Sequence, residues 1–114
     1  MKGRTWAVEF VNLAAVEEFN ALPGDMRAKL QRTFRLVETR GLAALAMPLA
    51  RPVEGRIWEL RVTGRDGIAR SLYAATSGQI LLVLRTFTKK TQKTPPREIE
   101  IARRRLEDEE HDAN

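Results

Sequence analysis

Three β-type runs in succession, joined by two short turns, limit the possible folds of this chain more than any other feature. Residues 57–62, 68–76 and 79–87 are rich in β-branched and large apolar side chains. Thr63-Gly64-Arg65-Asp66-Gly67 separates the first two runs and Ser77-Gly78 the next two; Asp-Gly is a strong hairpin signal. Connections this short force consecutive strands to run antiparallel. The third run has Leu81-Leu82-Val83-Leu84 at its centre. It is apolar on both faces, which suits a central strand covered on both sides.

Upstream, residues 5–11 read as another strand. Asn12 is placed to cap a helix carrying Ala14, Ala15, Val16, Phe19 and Leu22 at helical spacing, and Pro23-Gly24 ends it. Asp25 is expected to cap a second helix with Met26, Leu30, Phe34 and Val37 as its stripe and Gly41 as its stop. Residues 42–55 hold two prolines and no clean period, and read as a loop with a short helical piece. A last helix is expected over residues 96–107, capped by Thr94 with Pro95 at its first position and with Ile99, Ala102 and Leu106 on its apolar side. The expected fold is α+β: an antiparallel sheet of about four strands, an N-terminal helix hairpin on one face and a C-terminal helix, in the order β-α-α-β-β-β-α. Residues 1–106 form one domain in this reading. Residues 107–114 form an acidic tail that opposes the helix dipole and frays.

The charge is uneven. Residues 1–106 carry 20 basic against 10 acidic side chains, and the other five acids, Glu107, Asp108, Glu109, Glu110 and Asp112, lie in the last eight positions. Such an excess suits a polyanionic partner, although a basic solvated surface has the same composition. The absence of cysteine excludes a disulfide framework and a thiolate metal site and fits the cytoplasm. No run resembles a signal peptide or is long enough to cross a bilayer, so no membrane partner is expected. The single histidine, His111, lies in the acidic tail, no His/Asp/Glu set has metal spacing, and no cofactor is expected.

Side-chain parity locates the chemistry. In the first hairpin strand Trp58, Leu60 and Val62 share an apolar face and should meet the helices, with Trp58 and Trp6 in the core. Glu59 and Arg61 then share the other, open face. If Val62 pairs with Ala69 across the turn, Arg61 lies opposite Arg70. Two facing arginines repel unless a carboxylate or bound anion compensates, and Glu59 is the nearby acid. Beyond the third strand, Lys89, Lys90 and Lys93 enter from its end, and Arg85 lies along it. Tyr73 and Phe87 could stack on a base, though packing is the more common use of such residues.

The ordered string I-W-E-L-R (57–61), G-x-x-R-x-L-Y (67–73), F-T-K-K-T-Q-K-T-P (87–95) and E-I-x-x-A (98–102) resembles the RelE/HigB superfamily of bacterial toxins, and within it the phage-derived branch found beside helix-turn-helix antitoxin genes. The resemblance implies a small α/β fold with two N-terminal helices on an antiparallel sheet. It implies a metal-independent endoribonuclease that cleaves mRNA, mostly on the ribosome, and is silenced by a cognate helix-turn-helix antitoxin. By position, Arg70 matches the arginine at the cleaved phosphate, and Lys89 and Lys90 match the basic cluster after the last strand. Glu59, a candidate base, stands where relatives carry a lysine. Arg61, Lys93, Tyr73 and Arg85 are the candidate RNA contacts. The same basic residues would also serve a non-catalytic RNA- or partner-binding module, such as a decayed toxin.

Overall fold

In the computed structural model, which describes residues 5–45, 49–89 and 93–113, the chain forms a five-stranded sheet with helices on both faces. Strand β1 (Ala7–Phe10) is followed by α1 (Leu13–Asn20) and α2 (Gly24–Arg40). A short 3-10 turn (Leu42–Ala44) leads to β2 (Ala50–Glu54), β3 (Ile57–Gly64), β4 (Gly67–Thr76) and β5 (Ile80–Lys89), and α3 (Pro96–Ala113) closes the fold. The strand order is β1-β5-β4-β3-β2. All neighbours are antiparallel except β1 and β5, which run parallel. The α+β class, the three-strand meander and the interior position of β5 agree with the expectation.

The fifth strand lies where the sequence reads as a loop. Strand β2 pairs only with β3, so it is an edge. An edge strand tolerates Pro52, whose missing N–H can face away from the ladder. The pairing, rather than any local pattern, holds it extended.

The two faces of the sheet have separate cores. Phe19, Leu22, Met26, Leu30, Phe34 and Val37 of α1 and α2 and the link between them meet Leu60, Val62, Ala69, Tyr73, Leu81 and Val83 on one face. The rings of Phe10, Phe19 and Phe34 pack at centroid distances of 5.4–6.3 Å, a spacing favoured by aromatic quadrupoles. On the other face, Ala102 and Leu106 of α3, with Ile99 beside them, cover Leu72, Ala74, Leu82, Leu84 and Phe87. The face expected to be open is therefore half covered.

Local caps follow the sequence in part. Asn12 accepts from Ala15 N–H at 2.9 Å, and Gly41 ends α2 with φ of 79°. Asp25 does not cap α2, whose N-cap is Pro23. Its carboxylate instead accepts from Met26 N–H at 2.9 Å and from Arg65 N–H at 2.8 Å, tying the helix start to the β3–β4 turn. That docking is close: a Cβ on Gly64 would lie 2.5 Å from Met26 Cγ. Helix α3 does not stop near Glu107 but continues to Ala113. It is secured there by an ion pair between Arg56, in the β2–β3 turn, and Glu110. The acidic end thus lies against that turn.

Candidate functional site

The register across β2 to β5 builds one row of charged side chains on the α3 face and then a second. Arg51 pairs with Glu59, Glu59 with Leu72, and Leu72 with Arg85. One step along, Arg61 pairs with Arg70 and Arg70 with Phe87. A further step aligns Thr63, Ile68 and Lys89. The facing of Arg61 and Arg70 is the register that parity and the Asp-Gly turn predict.

A β-bulge brings the end of β5 into this arrangement. The ladder shifts between Leu72 and Tyr73, which pair with Arg85 and Val83, leaving Leu84 as the extra residue. One extra residue reverses the facing of everything beyond it. Arg85, Phe87 and Lys89 therefore share the face of Arg70 rather than that of Val83. Side chains satisfy the backbone at the irregularity, because β1 pairs with β5 only over residues 80–83. Glu18 of α1 accepts from Thr86 N–H at 3.3 Å, and Arg105 of α3 donates to the Leu84 carbonyl at 2.9 Å. Glu18 also pairs with Arg85 at 2.5 Å and with Arg105 at 2.8 Å, and Arg85 reaches Glu98 at 2.6 Å. Burial works to raise the Glu18 carboxyl. It is outweighed by the hydrogen bonds from Arg105 and Thr86 and by the Arg105 and Arg85 charges, so the group sits below its ordinary value.

The arginine pair is enclosed. Glu59 and Arg70 are both 0% exposed. Glu59 forms an ion pair with Arg61 and accepts a hydrogen bond from the Thr94 hydroxyl. That same hydroxyl accepts from Arg70 Nη1 at 3.1 Å. Burial and the neighbouring Arg61 charge lower the Arg70 pKa against the opposing pull of Glu59; an arginine remains charged at neutral pH all the same. Thr94 is not the cap of α3, which starts at Pro96 with the Pro95 carbonyl accepting from Glu98 N–H at 3.0 Å. Its side chain is instead the polar cover of the arginine pair.

Several candidate residues lie elsewhere. Tyr73 is on the opposite face, buried among the α1–α2 core, and burial alone pushes its phenol up to about 12. It cannot stack on a ligand held by Arg70. Arg85 is on the right face, but its guanidinium is held by Glu18 and Glu98. Phe87 is buried under α3. Lys89 and Lys93 are exposed, and Lys90 lies outside the described residues. Trp58, expected in the core, is 39% exposed; it lines a cavity of about 460 Å³ with Leu42, Leu45 and Tyr73 beyond the reach of the helices. Arg51 and Thr94 were missed as site residues. Arg51 lay in the stretch read as a loop, and Thr94 carried a capping signal instead. Among the described residues, no group of three or more His, Asp or Glu side chains could hold a metal ion, and no helix is long and apolar enough to cross a membrane.

The family described as "Phage derived protein Gp49-like" matches residues 17–107. None of the curated proteins matches the chain. Among solved structures, a double mutant of Escherichia coli toxin RelE in the free state is similar, with a TM-score of 0.61 at 15% identity. The match covers 89% of this chain and 97% of that one. A chain of the intact Escherichia coli RelBE toxin–antitoxin complex matches at a TM-score of 0.48 and 15% identity, covering 76% of this chain and all of that one.

Proposed function

The chain belongs to the phage-derived Gp49-like family, and from that premise we propose that it is the toxin of a toxin–antitoxin pair, an endoribonuclease that cleaves mRNA on the ribosome. The RelE-type fold supports the toxin reading. The observation that carries the chemistry is the enclosed pair Arg61–Arg70, with Glu59 beside it and the Thr94 hydroxyl on Arg70 Nη1.

The Thr94 hydroxyl occupies the position a phosphate oxygen would take. The Arg70–Thr94 bond is assisted by one charge only, whereas a phosphate oxygen brings the opposite charge and can be held bidentately, which makes the stronger pair. An incoming phosphate therefore displaces Thr94 from Arg70. Arg61, at the exposed edge of the pair, gives the phosphate its entry. Guanidinium groups hold phosphate bidentately, and Lys89 adds a point charge from the next row. Together these neutralise the charge that grows on the phosphorane as the 2′-oxygen attacks.

Cleavage also requires a base to take the 2′-OH proton and an acid to protonate the departing 5′-oxygen. Glu59 is buried and held by Arg61 and Thr94, so we assign it to positioning the arginine pair and leave proton transfer to the lysines at the end of β5. A site with so few proton-transfer groups is a poor free nuclease. It gains from a partner that fixes the substrate, since orientation can supply several kcal/mol. The ribosome is that partner in this reading, and a helix-turn-helix antitoxin is the inhibitor.

Primer extension on mRNA from cells expressing the chain tests the reading. Cuts at fixed positions relative to the reading frame are expected. Their absence, with ribosome association intact, would make the protein a binder without catalysis.

A further inference from the structure

Helix α2 carries a second basic surface on the side of the molecule away from the arginine pair. Its sequence holds five basic residues against two acidic ones. Its buried stripe, Met26, Leu30, Thr33, Phe34 and Val37, turns Lys29, Arg32, Arg35 and Arg40 outward, and all four are exposed. Of the two acids, Asp25 is already occupied by backbone N–H groups.

Six arginines elsewhere in the molecule, Arg56 in the β2–β3 turn and Arg61, Arg85, Arg103, Arg104 and Arg105 on β3, β5 and α3, each have a carboxylate partner. Among the described residues no ion pair involves Lys29, Arg32, Arg35 or Arg40. Lys29 donates to the Thr63 carbonyl at 2.5 Å, so the ridge begins at the β3 end that carries Arg61. The exposed Arg65, in the β3–β4 turn held by Asp25, bridges the two surfaces. A helix rises about 1.5 Å per residue, so Lys29 to Arg40 spans roughly 16 Å. That length covers several phosphates of a nucleic-acid backbone. A cavity beside the ridge, lined by Lys29, Arg32, Thr33, Leu36, Leu49 and Val62, holds no aromatic side chain on which a base could stack.

We infer that the solvent face of α2, centred on Arg32 and Arg35, docks the phosphate backbone of a structured RNA duplex while the Arg61–Arg70 site engages a separate single strand. The inference rests on the reading that this chain acts on RNA at the ribosome, and it identifies the surface by which the ribosome's own RNA positions the protein. Contacts of this kind are sequence-independent and salt-dependent, because each neutralised phosphate releases counterions.

The test measures binding to a short RNA duplex and to purified ribosomes across a salt series. It compares the wild type, Arg70→Ala, and the double variant Arg32→Ala/Arg35→Ala. Both α2 side chains are exposed, so the double variant should fold, which its circular dichroism and melting point check. We expect the double variant to bind both probes at least tenfold more weakly. Its log–log salt slope should be about 1.8 shallower, from a loss of about 0.9 per phosphate contact. Arg70→Ala should bind the duplex like the wild type while losing mRNA cuts. If no protein produces cuts but the double variant still loses duplex binding and slope, the catalytic reading fails and this one stands. Unchanged affinity and slope in the double variant would overturn the inference. So would tighter binding to a DNA duplex of the same sequence, or intact RNA binding with loss of antitoxin binding.

Discussion

Replacing Glu59 by glutamine removes one charge from the enclosed site and changes almost nothing in its volume. Arg61 and Arg70 face each other directly across β3 and β4, and Glu59 is the buried carboxylate beside them. Removing one member of a buried charge pair typically costs 3–5 kcal/mol, because the remaining charge stays desolvated. The Arg61 side chain keeps 13% of its surface in water, which places the expected loss at the lower end, about 3 kcal/mol. A domain of this length has a total stability of only about 6–17 kcal/mol. The melting point should therefore fall by roughly 12 °C, at about 4 °C per kcal/mol. Urea unfolding should show a lower midpoint with an unchanged slope. Inorganic phosphate should restore part of the loss, more than sodium chloride at equal ionic strength, by taking the place of the missing carboxylate. A loss below about 1 kcal/mol, or stabilisation no greater in phosphate than in chloride, would refute the claim that this arginine pair needs an anion.

Three further outcomes follow from the packing and the titrating groups. Gly64→Ala places a Cβ 2.5 Å from Met26 Cγ and 2.8 Å from Asp25 Oδ2, so urea unfolding should show a loss of about 1–3 kcal/mol from overpacking. Tyr73 is the single tyrosine, and burial raises its phenol to about 12; phenolate absorbance in the native protein should rise only near that pH, and stability should fall as pH climbs from about 10 towards 12, because the unfolded state ionises first. The Glu18 carboxyl lies below its ordinary value of 4.5, so its contribution is present above that pH and is lost as pH falls through the lower native value; the stability difference between wild type and Glu18→Gln should accordingly be largest at neutral pH and should shrink as the solution is acidified below 4.5.

The legible parts of this molecule are those that depend on neighbours in sequence. Alternation in residues 57–62 and the Asp66-Gly67 turn were enough to set Arg61 opposite Arg70, as the register confirms. Helical spacing identified the stripes of α2 and α3, and Gly41 marked a helix end. Features that depend on distant partners were not legible. Strand β2 is extended because β3 pairs with it, although Pro52 argues locally against a strand. The bulge in β5 is supported by Glu18 and Arg105, from two different helices. It turns Arg85 towards the Glu18 and Glu98 carboxylates, while Tyr73 lies on the other face, so neither is free to join Arg70 in holding a ligand. Thr94 has the local signature of a cap, yet tertiary contact directs its hydroxyl to Arg70 and Glu59. The acidic tail looked frayed because its charge opposes the helix dipole, but Arg56 answers that charge from the β2–β3 turn.

The central claim is that the buried arginine pair, led by Arg70, acts on the phosphate of mRNA. Its most direct test is cleavage of a defined mRNA on purified ribosomes by the wild type and by Arg70→Ala, with folding checked by circular dichroism and antitoxin binding. The account predicts cuts at fixed positions in the reading frame with the wild type and none above background with a folded Arg70→Ala. Equal cleavage by a folded Arg70→Ala would contradict it and move the site away from β3 and β4.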